Sequence, residues 1–161
     1  MTAFYYNDGT AWRTVKSFFY NDGTAWRTIK NAYYNDGTAW RKFYVAMTVV
    51  VSPDPVTGSN SGQSGVYINV TTGTATASVT TTGSGSYTYS WAFLSGSNAT
   101  INSPTSAATT FTRNQRTGLN STSTTTLTGV FRCTVTDTVN NTTAYYDETV
   151  TTYASGSGTP P

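Results

Sequence analysis

The segment Asn7-Asp8-Gly9-Thr10-Ala11-Trp12-Arg13 returns unchanged at positions 21–27 and 35–41, so that it recurs every 14 residues. Each copy follows a pair of aromatic residues. Asp-Gly between two short strand-forming runs is a strong hairpin signal, because the turn needs positive φ, which Asp tolerates and Gly prefers. The sequence therefore predicts three β-hairpins, with turns at Asp8, Gly9, Asp22, Gly23, Asp36 and Gly37.

The pairing within each hairpin depends on the type of turn. A two-residue type I′ turn makes Tyr5 face Trp12. Alternation along the strands then predicts one face with Tyr5, Trp12 and Thr14, and an opposite face with Tyr6, Ala11, Arg13 and Val15. A three-residue loop with a bulge would change these pairs, so the register stays open at this point.

The tryptophans of the repeats stand in identical settings. One interpretation is that neighbouring hairpins, each too small to bury its rings, stack and make these rings a shared core. A second is that the rings are platforms for a sugar or a choline-like cation, with an arginine beside each. A third is an interface to another protein, where Trp, Tyr and Arg are enriched. The residues assigned to assembly or binding are Tyr5, Trp12, Arg13, Phe19, Trp26, Arg27, Tyr33, Trp40 and Arg41.

The repeat region, residues 1–46, is so small that a folded unit of this size usually needs oligomerisation or a partner. We therefore expect another chain to complete it. The region carries six basic and three acidic side chains, a net charge of +3, whereas residues 47–161 carry −1. This excess is too small and too scattered to predict a nucleic-acid surface.

The Tyr-x-Asn-Asp-Gly-x-x-Trp-Arg units resemble the short tryptophan-arginine hairpin repeats of tail and other virion proteins of bacteriophages. Val15 and Ile29 follow two of the units at equivalent positions. The resemblance implies a structural virion protein that docks or oligomerises through its repeats. More weakly, the units are similar to the choline- or glucan-binding repeats of bacterial surface proteins, which implies an adhesin. Those repeats are longer and open with a Gly-Trp that is absent here.

Residues 47–153 have the pattern of a β-sandwich, because short β-rich runs alternate with turn signals. The runs are 65–71, 74–81, 86–94, 107–112, 123–136 and 142–153. The segment Ser52-Pro53-Asp54-Pro55 and the Gly/Ser-rich stretch 58–65 together indicate a linker or a long first loop. Residues 154–161 predict a flexible tail. No window repeats apolar residues at helical spacing, so the predicted fold class is all-β: a hairpin array and one sandwich.

The segment Tyr87-Thr88-Tyr89-Ser90-Trp91 and the later Phe131-Arg132-Cys133 resemble the third and sixth strands of an immunoglobulin-like or PKD-like domain. The resemblance implies that Trp91 is the core tryptophan and Cys133 the second core cysteine. Ala77 stands where such domains carry their first cysteine, so small-residue packing replaces the disulfide. Phe131 occupies the tyrosine-corner position and lacks the hydroxyl that makes the corner hydrogen bond.

Residues for catalysis are scarce, since the chain has no His, one Cys and one Glu. Asp147 and Glu148 are sequence neighbours and should point to opposite faces of a strand, which is a poor start for an acid/base pair. The four carboxylates at Asp54, Asp137, Asp147 and Glu148 are too scattered for a calcium cage, and we expect solvated turn and edge charges. The sequence thus predicts no enzyme, no catalytic residue, no cofactor and no metal site.

The amino terminus lacks the basic start and apolar core of a secretory signal, and no run is long enough to span a membrane. The single cysteine fits folding in a reducing cytoplasm. We expect a virion-surface protein, made in the host bacterial cytoplasm and extracellular after lysis, that serves as a decoration, fibre or tail-associated module. Its partners would be itself, as a homo-oligomer, or other virion proteins, with weak cell-surface glycan binding as a secondary role. A self-assembled extracellular fibre is a further alternative, because hairpin edges favour strand addition.

Overall fold

The structure, a computed structural model, describes residues 5–15, 18–29, 31–35, 37–81 and 83–158. Every regular element in this part of the chain is a β-strand, so the prediction of an all-β fold is confirmed. The described residues of the N-terminal repeats form three separate two-stranded antiparallel sheets. Their strands are β1 (Tyr5–Asn7), β2 (Trp12–Thr14), β3 (Phe19–Asn21), β4 (Trp26–Thr28), β5 (Asn31–Asn35) and β6 (Trp40–Val45).

The hairpin register differs from the sequence prediction. In the second repeat Asn21 pairs with Trp26, and the first repeat pairs its equivalent residues in the same way. The two-residue type I′ turn is therefore wrong, because the loop runs from Asp22 to Ala25 and only Gly23 within it has positive φ. The pairing has shifted by two residues. An even shift keeps strand residues on their predicted faces, so the division into two faces survives the error.

The described residues of the sandwich form ten strands in three sheets. The strands are β7 (Thr48–Ser52), β8 (Val56–Gln63), β9 (Tyr67–Thr71), β10 (Ala75–Thr81), β11 (Tyr87–Gly96), β12 (Thr100–Ile101), β13 (Ala108–Thr109), β14 (Phe111–Arg116), β15 (Thr124–Asp137) and β16 (Thr142–Ser157). The largest sheet has the order β11-β15-β16-β8, and the others are β13-β10-β7 and β12-β14-β9. Alternating inward side chains of these sheets form the core.

Aromatic rings dominate that core. Phe111 and Phe131 are fully buried with ring centroids 4.7 Å apart, and Trp91 meets Phe111 edge-on at 5.8 Å. The Trp91 indole nitrogen donates to the Ser106 carbonyl at 2.9 Å, so the polar end of the ring is satisfied. Each such ring buries on the order of 150–250 Å² of surface, and five valines, Val49, Val51, Val56, Val135 and Val150, complete the same core.

Two segments that the composition predicts as irregular are strands. β8 lies within the predicted linker, and Ala154 to Ser157, predicted as a flexible tail, is the end of β16. β8 pairs in parallel with the second half of β16, from Val56↔Val150 to Gln63↔Ser157. Gly and Ser have low strand propensity, but each segment supplies the other with a hydrogen-bonding partner, and tertiary pairing overrides propensity. Residues 159–161 lie outside the described residues.

Asp137, predicted as a solvated charge, is fully buried and holds the β15–β16 turn. Its carboxylate accepts from the backbone nitrogens of Val139 at 3.0 Å and Asn140 at 2.9 Å, and from Ser84 N and Oγ, each at 2.7 Å. Burial alone would raise the pKa of Asp137, but the bonds from Asn140 and Ser84 outweigh it and hold the pKa far below the usual range. The carboxylate therefore stays ionised and ties two loops together.

Glu148 is the second buried carboxyl group, and it too contradicts the prediction of a solvated charge. Its Oε1 accepts a hydrogen bond from Val56 N at 2.7 Å, while Oε2 has no hydrogen-bond partner among the described residues. Burial raises the pKa of Glu148 to about 7, against the opposing effect of the Val56 bond. Its neighbour Asp147 points outward and forms an ion pair with Arg132, so the predicted opposite orientation of the two is confirmed.

Candidate interaction surface

Each described hairpin turn is organised by an aspartate that accepts hydrogen bonds from its own loop. Asp22 Oδ1 accepts from Thr24 N at 2.9 Å, Thr24 Oγ1 at 2.6 Å and Ala25 N at 2.9 Å. The asparagine before it accepts from the glycine nitrogen at 2.8 Å, and the first repeat makes the same bonds. These bonds explain why Asn-Asp-Gly-Thr-Ala repeats without change. The threonine and the asparagine were not among the predicted turn residues, although both are identical in all three copies.

An arginine from the second strand completes each of these turns. Arg27 Nε donates to Asp22 Oδ2 at 2.6 Å, and Arg13 contacts Asp8 in the same way. The Thr24 hydroxyl, followed by the Arg27 guanidinium, holds the pKa of Asp22 well below its usual range. Exposed ion pairs contribute little stability. In each of the first two turns, the positive charge of the arginine balances the negative charge of the aspartate.

The second hairpin is exposed on both faces, since every residue from Phe19 to Thr28 is exposed. Phe19 and Trp26 lie on one face together with Asn21 and Thr28, and we call this the tryptophan face. Tyr20 and Arg27 lie on the opposite, tyrosine-arginine face. The Trp26 ring is 71% exposed and Phe19 is 54% exposed. No described residue covers this aromatic surface.

The other tryptophans have the same environment, because Trp12 and Trp40 are also 71% exposed. The interpretation in which the three rings form a shared core within one chain is therefore wrong. The physical reason is that isolated two-stranded hairpins, with strands of only three residues in the first two, present too little surface to bury one another's rings. The rings are left for a ligand or for another protein.

The remaining predicted residues of the repeats are one aromatic residue, the turn glycines, and a few residues that the structure does not describe. Tyr33 is 51% exposed and lies on the same face of its hairpin as Trp40. Gly9, Gly23 and Gly37 have φ of 91°, 92° and 91°, in the region that favours glycine. Asp36 lies outside the described residues, and so do the side chains of Tyr5 and Arg41.

We predict that Gly23→Val disrupts the second hairpin. A valine at this φ costs about 1–3 kcal/mol even though the space around a Cβ is open, because the strain lies in the backbone. Amide hydrogen exchange across residues 19–28 should therefore accelerate, with no change in the sandwich. Gly23→Asn is the matched control, since Asn tolerates positive φ, and equal exchange in the two variants would contradict this account.

The structure places the four predicted core residues of the sandwich in one cluster. Ala77 and Trp91 are 3% and 4% exposed, and Phe131 and Cys133 are fully buried. Cys133 pairs with Trp91 across β11 and β15. Burial raises the pKa of the Cys133 thiol to about 12, so the thiol stays protonated and unreactive.

The described residues contain no group of three or more His, Cys, Asp and Glu residues that could hold a metal ion, and no helix long and apolar enough to cross a membrane. An open depression of about 360 Å³ lies beside Asn98, Thr112 and Arg113, but the arginine is bound to surrounding carbonyl groups. Comparisons with protein-family models, with curated proteins and with solved structures found no match. The hairpin faces are therefore the strongest candidate surface.

Proposed function

We propose that the chain is a non-enzymatic structural protein of a virion, attached through its hairpin repeats and projecting its sandwich outward as a decoration, fibre or tail-associated module. The observation that carries the proposal is the contrast between the two regions. The sandwich buries its own aromatic core, whereas the second hairpin exposes every residue from Phe19 to Thr28. An isolated two-stranded hairpin is marginally stable in water, so the repeats need a partner and the sandwich does not.

The proposal includes an immunoglobulin-like sandwich. Trp91 and Cys133 occupy adjacent strands, and Ala77 is buried in the same core cluster from a different sheet. These positions agree with the resemblance in the sequence. Such a module serves as a rigid spacer, and its role here is to hold an exposed surface away from the particle.

The absence of catalysis is also part of the proposal. The Cys133 thiol is buried, and the buried Glu148 carboxyl has no second acid/base group hydrogen-bonded to it among the described residues. A general acid/base site needs groups within hydrogen-bond reach of a substrate, and neither side chain has access to one. Assembly by the repeats thus accounts for the exposed residues better than catalysis does.

The attachment role is tested by the solution mass of the full chain and of residues 47–161, measured by light scattering with and without the target particle. The shortened chain should fold, because the sandwich core lies entirely within it. We expect the full chain to associate, with itself or with a particle, and the shortened chain to remain a free monomer. Association of residues 47–161 alone would overturn the proposal.

A carbohydrate- or choline-binding adhesin is a second candidate, and the exposure of Trp26 favours it, since sugars and cations bind to open indole faces. It predicts quenching or a shift of tryptophan fluorescence on titration with soluble glycan or choline. The Trp26→Ala variant should then lose part of that signal. Unchanged fluorescence at saturating ligand would exclude this candidate.

A further inference from the structure

The two faces of the second hairpin differ in what their burial would cost. The tryptophan face offers the rings of Phe19 and Trp26. The opposite face offers Tyr20 and an Arg27 that is ion-paired and 56% exposed. Removing aromatic surface from water is favourable, whereas covering an ion pair requires its desolvation. The tryptophan face is therefore the face that a partner covers.

The chemistry of this face fits a protein better than a sugar. A sugar site needs free polar groups beside the ring. The amide oxygen of Asn21 already accepts the Gly23 nitrogen at 2.8 Å. Arg27 lies on the opposite face, bound to Asp22. Apart from Asn21 and Thr28, the face consists of the Phe19 and Trp26 rings, which suit another apolar face.

The exposed area is close to what a stable protein interface needs. The described rings on the tryptophan faces of the three hairpins are Trp12, Trp26 and Trp40, each 71% exposed, with Phe19 at 54% and Tyr33 at 51%. At about 150–250 Å² per aromatic side chain, they leave on the order of 600 Å² uncovered. A standard interface covers about 800 Å² per partner. One hairpin alone falls far short, so all three must engage together.

We propose that the tryptophan faces of the three hairpins are covered by the tryptophan faces of a second copy of the chain. A second copy presents the same three faces at the same spacing, so that each contact is repeated by symmetry. The Asp–Arg pairs of the first two turns add no net charge to the contact, whereas the net charge of +3 on residues 1–46 opposes the approach of two copies. This proposal rests on the assembly role of the repeats and specifies their partner.

The test is sedimentation equilibrium of the purified full chain and of three alanine variants in the second hairpin. Trp26→Ala should weaken self-association about 30-fold or more, and Phe19→Ala should weaken it in the same direction. Tyr20→Ala is the matched control, because Tyr20 is a 52% exposed aromatic on the opposite face of the same strands. Its effect should stay below about threefold. High salt should not dissociate the assembly, since no charge pair holds it together.

Three outcomes would overturn the inference. The first is a full chain that stays monomeric at every concentration; attachment of that monomer to a particle would leave the broader proposal intact. The second is equal weakening by Tyr20→Ala and Trp26→Ala, which would show that the tryptophan face is not the contact. The third is normal association of both Trp26→Ala and Phe19→Ala. Failure of Trp26→Ala to fold its hairpin would leave the Phe19→Ala comparison to decide.

Discussion

Raising the pH from about 5 to about 8 should lower the free energy of unfolding of the sandwich by about 3 kcal/mol, and Glu148→Gln should abolish this decrease. Burial raises the pKa of Glu148 from its ordinary value of 4.5 to about 7, with a further contribution from Asp54. Between these two values the folded chain binds the proton and the unfolded chain does not. Stability is therefore greatest below the lower value and falls until the pH passes the higher one.

Histidine titration does not contribute to the pH dependence in this range, because the chain contains no histidine. Asp54 and Tyr146 are the titratable groups that act on Glu148 or hydrogen-bond beside it, and the pKa of Tyr146 is raised to about 12, mainly by its hydrogen bond to Asp54. Urea unfolding at the two pH values gives the slope directly. Asp147→Asn is the control, because Asp147 is exposed next to Glu148 and should leave the slope unchanged. Equal slopes in the parent chain and Glu148→Gln would contradict the assignment.

Asp137→Ala should destabilise the sandwich by about 3 kcal/mol or more at neutral pH. The change leaves Ser84 N, Val139 N and Asn140 N without the carboxylate that they share. Each hydrogen bond to a charged group contributes about 1.5–3 kcal/mol, and water can replace only part of this set. Urea unfolding at neutral pH measures the loss.

The pH dependence of that loss distinguishes it from the effect of Glu148. The pKa of Asp137 is lowered in the folded chain, so its contribution is fully present above the ordinary pKa and disappears as the pH falls into the acid range. Asp147→Ala on the same β-hairpin removes an exposed ion pair with Arg132 and should cost about 1 kcal/mol or less. Similar losses from the two alanine variants would show that Asp137 does not anchor the turns.

The sequence was sufficient to locate the hairpins and their two faces. Asp22 and Gly23 mark the turn, and alternation fixes which strand residues share a face even when the register is wrong by two. The register itself was not accessible, because it depends on the Asp22 carboxylate bonding to Thr24 and Ala25 rather than on backbone preference. A turn type predicted from the Asp-Gly pair alone does not take the hydrogen bonds of the Asp22 carboxylate into account.

Burial in the sandwich was predicted well for apolar residues and poorly for polar ones. Trp91 and Cys133, which the immunoglobulin-like resemblance implies as core residues, lie in the core. Glu148 and Asp137 were expected in water, because a charged residue is buried only when distant groups bond to it. Their donors, Val56 N and Ser84 N, lie 92 and 53 residues away along the chain. Local composition does not identify such distant partners. For the same reason it does not predict that β8 and the end of β16 are paired strands.

The parallel pairing of β8 and β16 determines how the sandwich responds to force. A domain fixed at its hairpins and pulled from residue 158 is first loaded at β7, which precedes β8 and pairs with β10, and at the end of β16. Once β7 separates from β10, the tension reaches the start of β8. Since β8 and β16 run in the same direction over eight residue pairs, the pull slides one along the other and loads their hydrogen bonds together. An antiparallel hairpin pulled at its open end releases its bonds one after another. The two segments that composition predicts to be a linker and a tail therefore form a strand pair that resists this pull.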